Sequence, residues 1–276
     1  MCGKSLSGAM QTVTIISDWG DNSHYLPILK GRFSSLVTEQ GITAVNIVEL
    51  SSSVKPFDIS SMCFIVKSSY NSFPKGTLHL LGVASEPYRN NKMAIARYRG
   101  HYFLGTDDGR FSLIFDSDDF TVKYMPLPDK YSTFTFPFYA VEAVKIIAGN
   151  MYEQLQDAVT NRFIKEMPAM TENSITGKIM FIDSFGNAIT NITAKMFMKT
   201  MMAAAERYGE DIGVEICIPG PYLKLNDIAR SYDDVGQGEH LALFNSGGYL
   251  ELAINRGNFA QAEGVDIRTE ISILFK

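Results

Sequence analysis

FIDSFGNAITN, residues 181–191, is the stretch whose reading decides the fold. It grows out of Lys178, Ile179, Met180, Phe181 and Ile182, a short apolar run with the character of a buried strand. The run stops at Asp183. A carboxylate, an aromatic ring, a glycine and two amides then follow within nine residues. Gly186 permits a backbone turn that other residues resist. Asn187 and Asn191 lie four apart, around a turn rather than along a helix. A strand that ends in a turn presenting polar groups is how many ligand-binding loops are built. An Asx-type turn closing a strand uses the same residues, and the stretch alone leaves both readings open.

Outward from this stretch, composition bounds the class. The 276 residues are 46% hydrophobic and 20% charged, which describes a globular chain of one large or two medium domains with a full core. A net charge of -5, with no basic run, argues against a nucleic-acid scaffold, because phosphate binding needs concentrated lysine and arginine. Cys2, Cys63 and Cys217 are scattered and have no metal-ligand spacing, which suits a reducing compartment, the cytoplasm. No apolar run approaches the ~20 residues of a membrane span. Residues 1–10 lack the apolar region of a secretory signal and are expected to be a short leader, with the folded chain starting near Gln11.

Up to about residue 168 the pattern alternates. Strands are expected at 12–16, 44–50, 77–83 and 93–98, and helices at 26–36, 59–69 and 141–149. The first strand gives way at Ser17, Asp18, Trp19 and Gly20 to a polar loop and a helix, as at the ligand edge of an open α/β sheet. A carboxylate there, Asp18, can accept both hydroxyl protons of a ribose diol; helix N-capping is the other use of such a residue. Pro, Thr, Glu, Asn and Ser cluster at 168–176 and mark a boundary between domains at 11–168 and 174–276. Beyond it come short strands at 178–182, 214–218, 241–244 and 271–275, one helix at 195–208 and glycine-rich turns. These suggest a small barrel or sandwich.

Standard catalytic motifs are few. No Walker loop, no Gly-x-Gly-x-x-Gly and no Gly-x-Ser-x-Gly elbow occurs. His24, His79, His101 and His240 lie far apart, which disfavours zinc. Asp107 and Asp108 are adjacent carboxylates at a turn; they would suit a divalent cation in a metal-dependent phosphohydrolase, or simple solvation.

Four segments carry a resemblance. They are Ser17-Asp18-Trp19-Gly20 through Tyr25 to Lys30-Gly31, the run FPKGTLH at 73–79, IDSFGNAITN at 182–191, and Ser231 through Gly238 to NSGGYLELAIN at 245–255. Together they resemble the S-adenosyl-L-methionine (SAM) hydroxide adenosyltransferases, SAM hydrolases that form adenosine and methionine and are related to the fluorinases and chlorinases. The resemblance covers nearly the whole chain from about Gln11. It implies an α/β fold, a Rossmann-like N-terminal α/β domain followed by a smaller C-terminal β-barrel domain. It further implies a homotrimer that binds SAM or adenosine between domains of neighbouring subunits, with SAM as substrate and no separate cofactor or metal. Carried over by position, Asp18 holds the ribose hydroxyls, with Trp19 beside it in the site. Ser23 and Asp183 contact the methionine part, Phe185 and Asn187 hold the adenine, and Ser246 reaches the methionine carboxylate.

The chain also departs from the family. The hydrolases carry an Asp-Pro-Gly-Val-Gly-x-x-Arg loop and a Thr-Phe-His segment that supply aspartate, arginine and histidine. Here the loop at 83–92 reads VASEPYRNNK, one residue longer and without that aspartate, and Thr135 stands where histidine is expected. Glu86 and Arg89 are the candidate catalytic replacements, with Lys92 a third. The expectation is a retained ligand site with weakened or altered catalysis. The alternative is a non-catalytic SAM- or nucleoside-binding protein.

Overall fold

The computed structural model describes residues 11–40, 45–87, 91–126, 134–209, 211–218 and 223–276. The expected leader and Arg89 lie outside the described residues. The chain divides into two compact units between Ile164 and Lys165.

In the first unit, residues 12–16 alternate threonine with valine and isoleucine, β-branched side chains that suit a pleated surface. They form β1 (Gln11–Ser17). There follow α1 (Tyr25–Gln40), β2 (Val45–Ser51), α2 (Ile59–Ser69), β3 (Leu78–Gly82), β4 (Met93–Tyr98), β5 (His101–Thr106), α3 (Arg110–Ile114), β6 (Thr121–Tyr124) and α4 (Phe136–Ala148). One sheet runs in the order β2-β1-β3-β5-β4-β6. Its first four strands are parallel, and β4 is antiparallel to both β5 and β6. Val13 and Ile15 enter one core with Leu29 and Phe33 of α1 and Ala140 and Val144 of α4. Ile16 enters the other, with Met62 and Val66 of α2 and Phe111 of α3. The sheet is thus covered on both faces, as parallel strands require. The chain steps from β1 out to β2 and returns past β1 to β3. The reversal falls between β1 and β3, and ligands bind at the carboxyl ends of strands beside such a point.

The helix expected at 141–149 starts five residues earlier, at Phe136, with Pro137 in its first turn. Three aromatic residues and a proline within 136–140 carry little helical signal, yet proline is well suited to a first turn because its missing N–H has no helical partner there.

The second unit holds β7 (Ala169–Met170), β8 (Ser174–Ile182), β9 (Ala188–Thr193), α5 (Ala194–Tyr208), β10 (Val214–Cys217), β11 (Lys224–Leu225), β12 (His240–Phe244), β13 (Tyr249–Ile254), α6 (Phe259–Glu263) and β14 (Glu270–Phe275). The turn-forming residues at 168–176 build a hairpin between β7 and β8, in which the Thr171 N–H donates to the Ser174 carbonyl at 2.9 Å. The antiparallel path runs β11-β10-β14-β8-β9-β13-β12. Just past β11, the Ala229 N–H donates to the Ala242 carbonyl at 2.8 Å and Ala229 bridges Leu243 of β12. The two edges of the path thereby nearly close a barrel around Ile175, Ile216, Leu252 and Ile273. The chain is an α/β protein with a smaller barrel-like second domain.

Candidate functional site

Asp18 follows β1 at the sheet reversal. Its Oδ2 accepts the N–H of Phe57 at 2.9 Å and of Ala84 at 3.2 Å. Phe57 lies just before α2 and Ala84 just after β3, so one carboxylate ties together the loops on both sides of β1. Both donors stand in the left-handed region, Phe57 at φ 64° and Ala84 at φ 44°. Such backbones cost about 1–3 kcal/mol and persist where their surroundings fix them. Helix capping falls to other residues: Asp58 accepts the Ser61 N–H at 3.0 Å for α2, and the Ser23 hydroxyl accepts the Tyr25 N–H at 3.1 Å for α1. Phe57 itself is 78% exposed at this edge. Sequence reasoning passed it over because an aromatic in a Pro-Phe-Asp turn carries no ligand signal of its own.

Trp19 lies across the end of β3. A Cβ on Gly82 would stand 2.9 Å from the Ile16 carbonyl oxygen and 3.1 Å from the Trp19 ring, which is why glycine ends that strand. The indole meets Phe134 and Phe136 edge-on, with centroids 5.3 and 5.7 Å away. It is an aromatic cornerstone as much as a candidate ligand contact.

Glu86 reaches the first turn of α4. Its carboxylate accepts the Thr135 N–H at 2.9 and 3.0 Å, the Phe136 N–H at 3.0 Å, and the Thr135 hydroxyl. Helix N-termini leave amides without partners and favour negative charge. The loop at 83–92 and Thr135, the two places where the sequence departs from the pattern it resembles, are therefore bonded to each other. These donors fill most of the carboxylate's acceptor positions, which makes it a poorer acceptor for a proton from water.

Arg110, absent from the sequence-level site, fixes the same loop from beneath. It is fully buried. Its guanidinium donates to the Leu81, Val83 and Ala84 carbonyls at 3.1, 3.0 and 3.2 Å, and to both oxygens of Asp108 at 2.9 and 2.7 Å. The adjacent Asp107 takes a different partner, accepting the Asn161 N–H at 3.3 Å through Oδ1. Asp107 Oδ2 is buried without a partner. Burial pushes the Asp107 carboxyl up to about 6, against the lowering effect of the Asn161 amide. The two aspartates are thus separately engaged rather than paired on a common cation site. Among the described residues no group of three or more His, Cys, Asp or Glu is placed to hold a metal. His79, which ends the FPKGTLH run, is a core residue: burial lowers its pKa to about 3, and Thr14 shares a 2.7 Å hydrogen bond with its Nδ1.

In the second unit the 181–191 stretch does form a presenting turn. Asp183 Oδ1 accepts the N–H of Phe185 and of Asn187, each at 2.9 Å, and Oδ2 accepts Asn187 Nδ2 at 3.0 Å. Phe185 is held out 75% exposed. Gly186 has φ 84°, and a Cβ there would overlap the side-chain amide of Asn258. Asn191 belongs to β9 instead, accepting the Lys178 N–H at 2.8 Å and donating to the Glu166 carbonyl at 3.1 Å. The two asparagines that the sequence sets four apart have separate roles, one in the turn and one in the sheet.

Asp183, Phe185, Asn187, Tyr232, Arg256 and Gly257 line an open pocket of about 580 Å³, within the range of roughly 300–1,000 Å³ usual for small-molecule sites. Tyr232 and Arg256 were not singled out in the sequence; Asn255 Nδ2 binds the Tyr232 and Val235 carbonyls at 3.1 and 2.9 Å and so brings the two segments together. Ser246 is not brought to this pocket. It sits in the exposed turn between β12 and β13, while the pocket lies at the other end of β13: Tyr249 pairs with Thr193 and Leu252 with Ala188, beside Asn187.

Comparison with known proteins adds a family to this geometry. Residues 13–155 match the model of the SAM hydroxide adenosyltransferase N-terminal domain, and residues 177–272 that of the C-terminal domain. The chain is 25% identical to an (R)-S-adenosyl-L-methionine hydrolase of Methanocaldococcus jannaschii, over 96% of this chain and 97% of the relative. It is 23% identical to the protein of the same description from Thermus thermophilus, over 93% and 96%. Its fold is similar to that of an uncharacterized conserved protein from Thermotoga maritima, with a TM-score of 0.80 at 22% identity, covering 95% of this chain and 99% of the other. A conserved hypothetical protein from Thermus thermophilus superposes with a TM-score of 0.69 at 20% identity, over 96% and 100%.

Proposed function

The chain belongs to the SAM hydroxide adenosyltransferase family, and from that premise we propose that it binds SAM and converts it, with water, to adenosine and methionine at a reduced rate. The observation that carries the binding half is the pocket at the Asp183–Asn187 turn, where an exposed aromatic face, a carboxylate and an amide surround a space of small-molecule size. Phe185 would stack on the adenine and Asn187 bond its edge, with the Asp183 carboxylate near the ammonium. In the first unit Asp18 would accept ribose hydroxyls. Oδ2 already serves two amides, so Oδ1 is the oxygen that takes most of this load. Ser23, next along the same loop, would face the methionine part; Ser246, at the far end of its hairpin, receives no contact in this scheme.

In the reaction a water oxygen attacks C5′ in line with the sulfonium. The C5′–S bond breaks with its electron pair going to sulfur, methionine leaves as a neutral thioether, and the water's proton is released. The sulfonium is already a good leaving group, so neither a metal nor an acid is called on to expel it. Positioning and desolvation are the protein's main contribution. Removing a proton-accepting group typically costs ~10²–10⁴-fold in rate, and Thr135 cannot hold a proton near neutral pH. The engagement of Glu86 by the start of α4 favours a second reading, a SAM- or nucleoside-binding protein that does not turn over.

The family resemblance supports a homotrimer with the ligand between the first unit of one subunit and the second unit of its neighbour. Cys63 and Cys217 are thiols rather than a disulfide, which suits the cytoplasm, and no helix among the described residues is long and apolar enough to cross a membrane. Calorimetric titration with SAM and with adenosine, run beside sedimentation, tests the scheme. Saturable heats for both ligands on a trimeric species are expected. A folded protein that binds neither contradicts the ligand; a monomer that binds adenosine tightly contradicts the shared site.

A further inference from the structure

Tyr232 stands on the pocket wall with its hydroxyl proton already committed. It donates to Glu251 Oε1 at 2.6 Å, and Asn245 Nδ2 donates to Glu251 Oε2 at 3.1 Å. Glu251 is 8% exposed and receives a donor on each oxygen. An ionised carboxylate only accepts hydrogen bonds, so the proton in the short contact comes from the phenol. Having given its one proton away, the Tyr232 oxygen presents only lone pairs to anything else. Burial, the Glu251 bond and the nearby Asp183 charge all raise the phenol pKa and keep that proton on oxygen. Asp183 and Asn187 line the same pocket as Tyr232, so the ring shares that wall with polar groups.

The surroundings make this polarity rigid. Tyr232 opens a short turn closed by a reciprocal capping box between Ser231 and Asp234. Its carbonyl is held by Asn255 at 3.1 Å. Asn245 in turn is fixed by the Gly247 and Tyr249 amides, at 3.0 and 3.2 Å on its Oδ1, which leaves its Nδ2 facing Glu251. Every partner in the chain Asn245–Glu251–Tyr232 therefore has one allowed direction of donation.

We propose that Tyr232 is a specificity-determining residue of this pocket, held by Glu251 as an obligate acceptor that selects a purine bearing an exocyclic amine. The inference rests on the nucleoside-binding reading of the site and deepens it. A ring stacked on Phe185 turns its edge toward the polar wall. An amine there meets the Tyr232 oxygen with an N–H; a hydrogen leaves the oxygen without a partner, and a carbonyl sets lone pair against lone pair. A site built to hydrogen-bond one group rejects the analogue lacking it because its own buried polar atom is left unpaired.

Calorimetric affinities for adenosine, purine riboside and inosine, measured on the wild type, Tyr232→Phe and Glu251→Gln, test this. The wild type is expected to prefer adenosine to purine riboside by roughly tenfold, with inosine weaker still. In Tyr232→Phe the adenosine to purine riboside ratio falls to near one. In Glu251→Gln the amide oxygen stays with Asn245 and the amide N–H turns to Tyr232, so the phenol points its proton into the pocket and inosine gains on adenosine. These are ratios within one protein, so a general loss of stability does not mimic them. An unchanged ratio in Tyr232→Phe, or an unchanged adenosine to inosine ratio in Glu251→Gln, overturns the inference while leaving nucleoside binding in place. A wild type that binds none of the three overturns the nucleoside reading and this inference with it.

Discussion

Removing the Asp18 carboxylate takes away two things at once, the acceptor for the Phe57 and Ala84 amides and the oxygen available to a ribose hydroxyl. Hydrogen bonds to a charged group contribute roughly 1.5–3 kcal/mol. Asp18→Ala is therefore expected to weaken SAM and adenosine binding by at least about tenfold and to lower the thermal midpoint, as the two left-handed residues lose their anchor. Undiminished affinity in that variant would remove Asp18 from the site. Asp107 behaves in the opposite sense. Its ordinary value is 3.8 and its folded value about 6, so the folded state holds the proton more tightly than the unfolded chain. That stabilisation is complete below about pH 4 and is lost as pH rises through about 6. Asp107→Asn is expected to flatten this part of the stability–pH curve and to gain about 1–3 kcal/mol at pH 7, because the amide never has to ionise in the buried site. Urea midpoints at pH 4.5 and 7 decide the point; an equal wild-type-to-variant difference at both would contradict it.

Among the elements, α4 depends on a residue 50 positions before its first one. The Glu86 carboxylate does for α4 what a neighbouring N-cap side chain does elsewhere, since Thr135 makes no side-chain cap bond of its own. Glu86→Ala is expected to cost about 0.5–2 kcal/mol of stability, in the range of a lost cap, readable in a denaturant titration; a variant as stable as the wild type would show that the helix start does not need it. At the other presenting turn, Gly186→Ala forces a Cβ against Asn258 at a positive φ. A cost of about 1–3 kcal/mol follows, with a matching loss of nucleoside affinity as Phe185 is displaced. A stable variant with intact affinity would mean that the turn yields without consequence. These two elements also show what the sequence makes legible. β1, β2, β3 and β8 stand out as apolar or β-branched runs. β9 was concealed because its residues read as the continuation of a ligand loop, whereas pairing with β8 and β13 places Asn191 in the sheet. The start of α4 was concealed because its cap is supplied through tertiary contact. Tyr232 and Glu251 carry no local signal at all; their meaning lies in a hydrogen bond across 19 residues.

At the scale of the whole molecule, each unit has its own closed core and its own polar constellation, and each matches one of the two family domains in order. The second unit keeps an aromatic, a carboxylate and an amide converging on one pocket. The first has Asp18 at the sheet reversal, and it has Glu86 bonded to Thr135 in the two segments where the resemblance leads one to expect proton-handling groups. On the proposed reading ligand recognition is retained while water activation is weakened, and rate is where that difference would show. The most direct test is the release of adenosine and methionine from saturating SAM, followed by chromatography beside a relative that retains the aspartate, arginine and histidine. The expected result is saturable binding with release about 10²–10⁴-fold slower than that relative, down to none; turnover as fast as the relative's would contradict it.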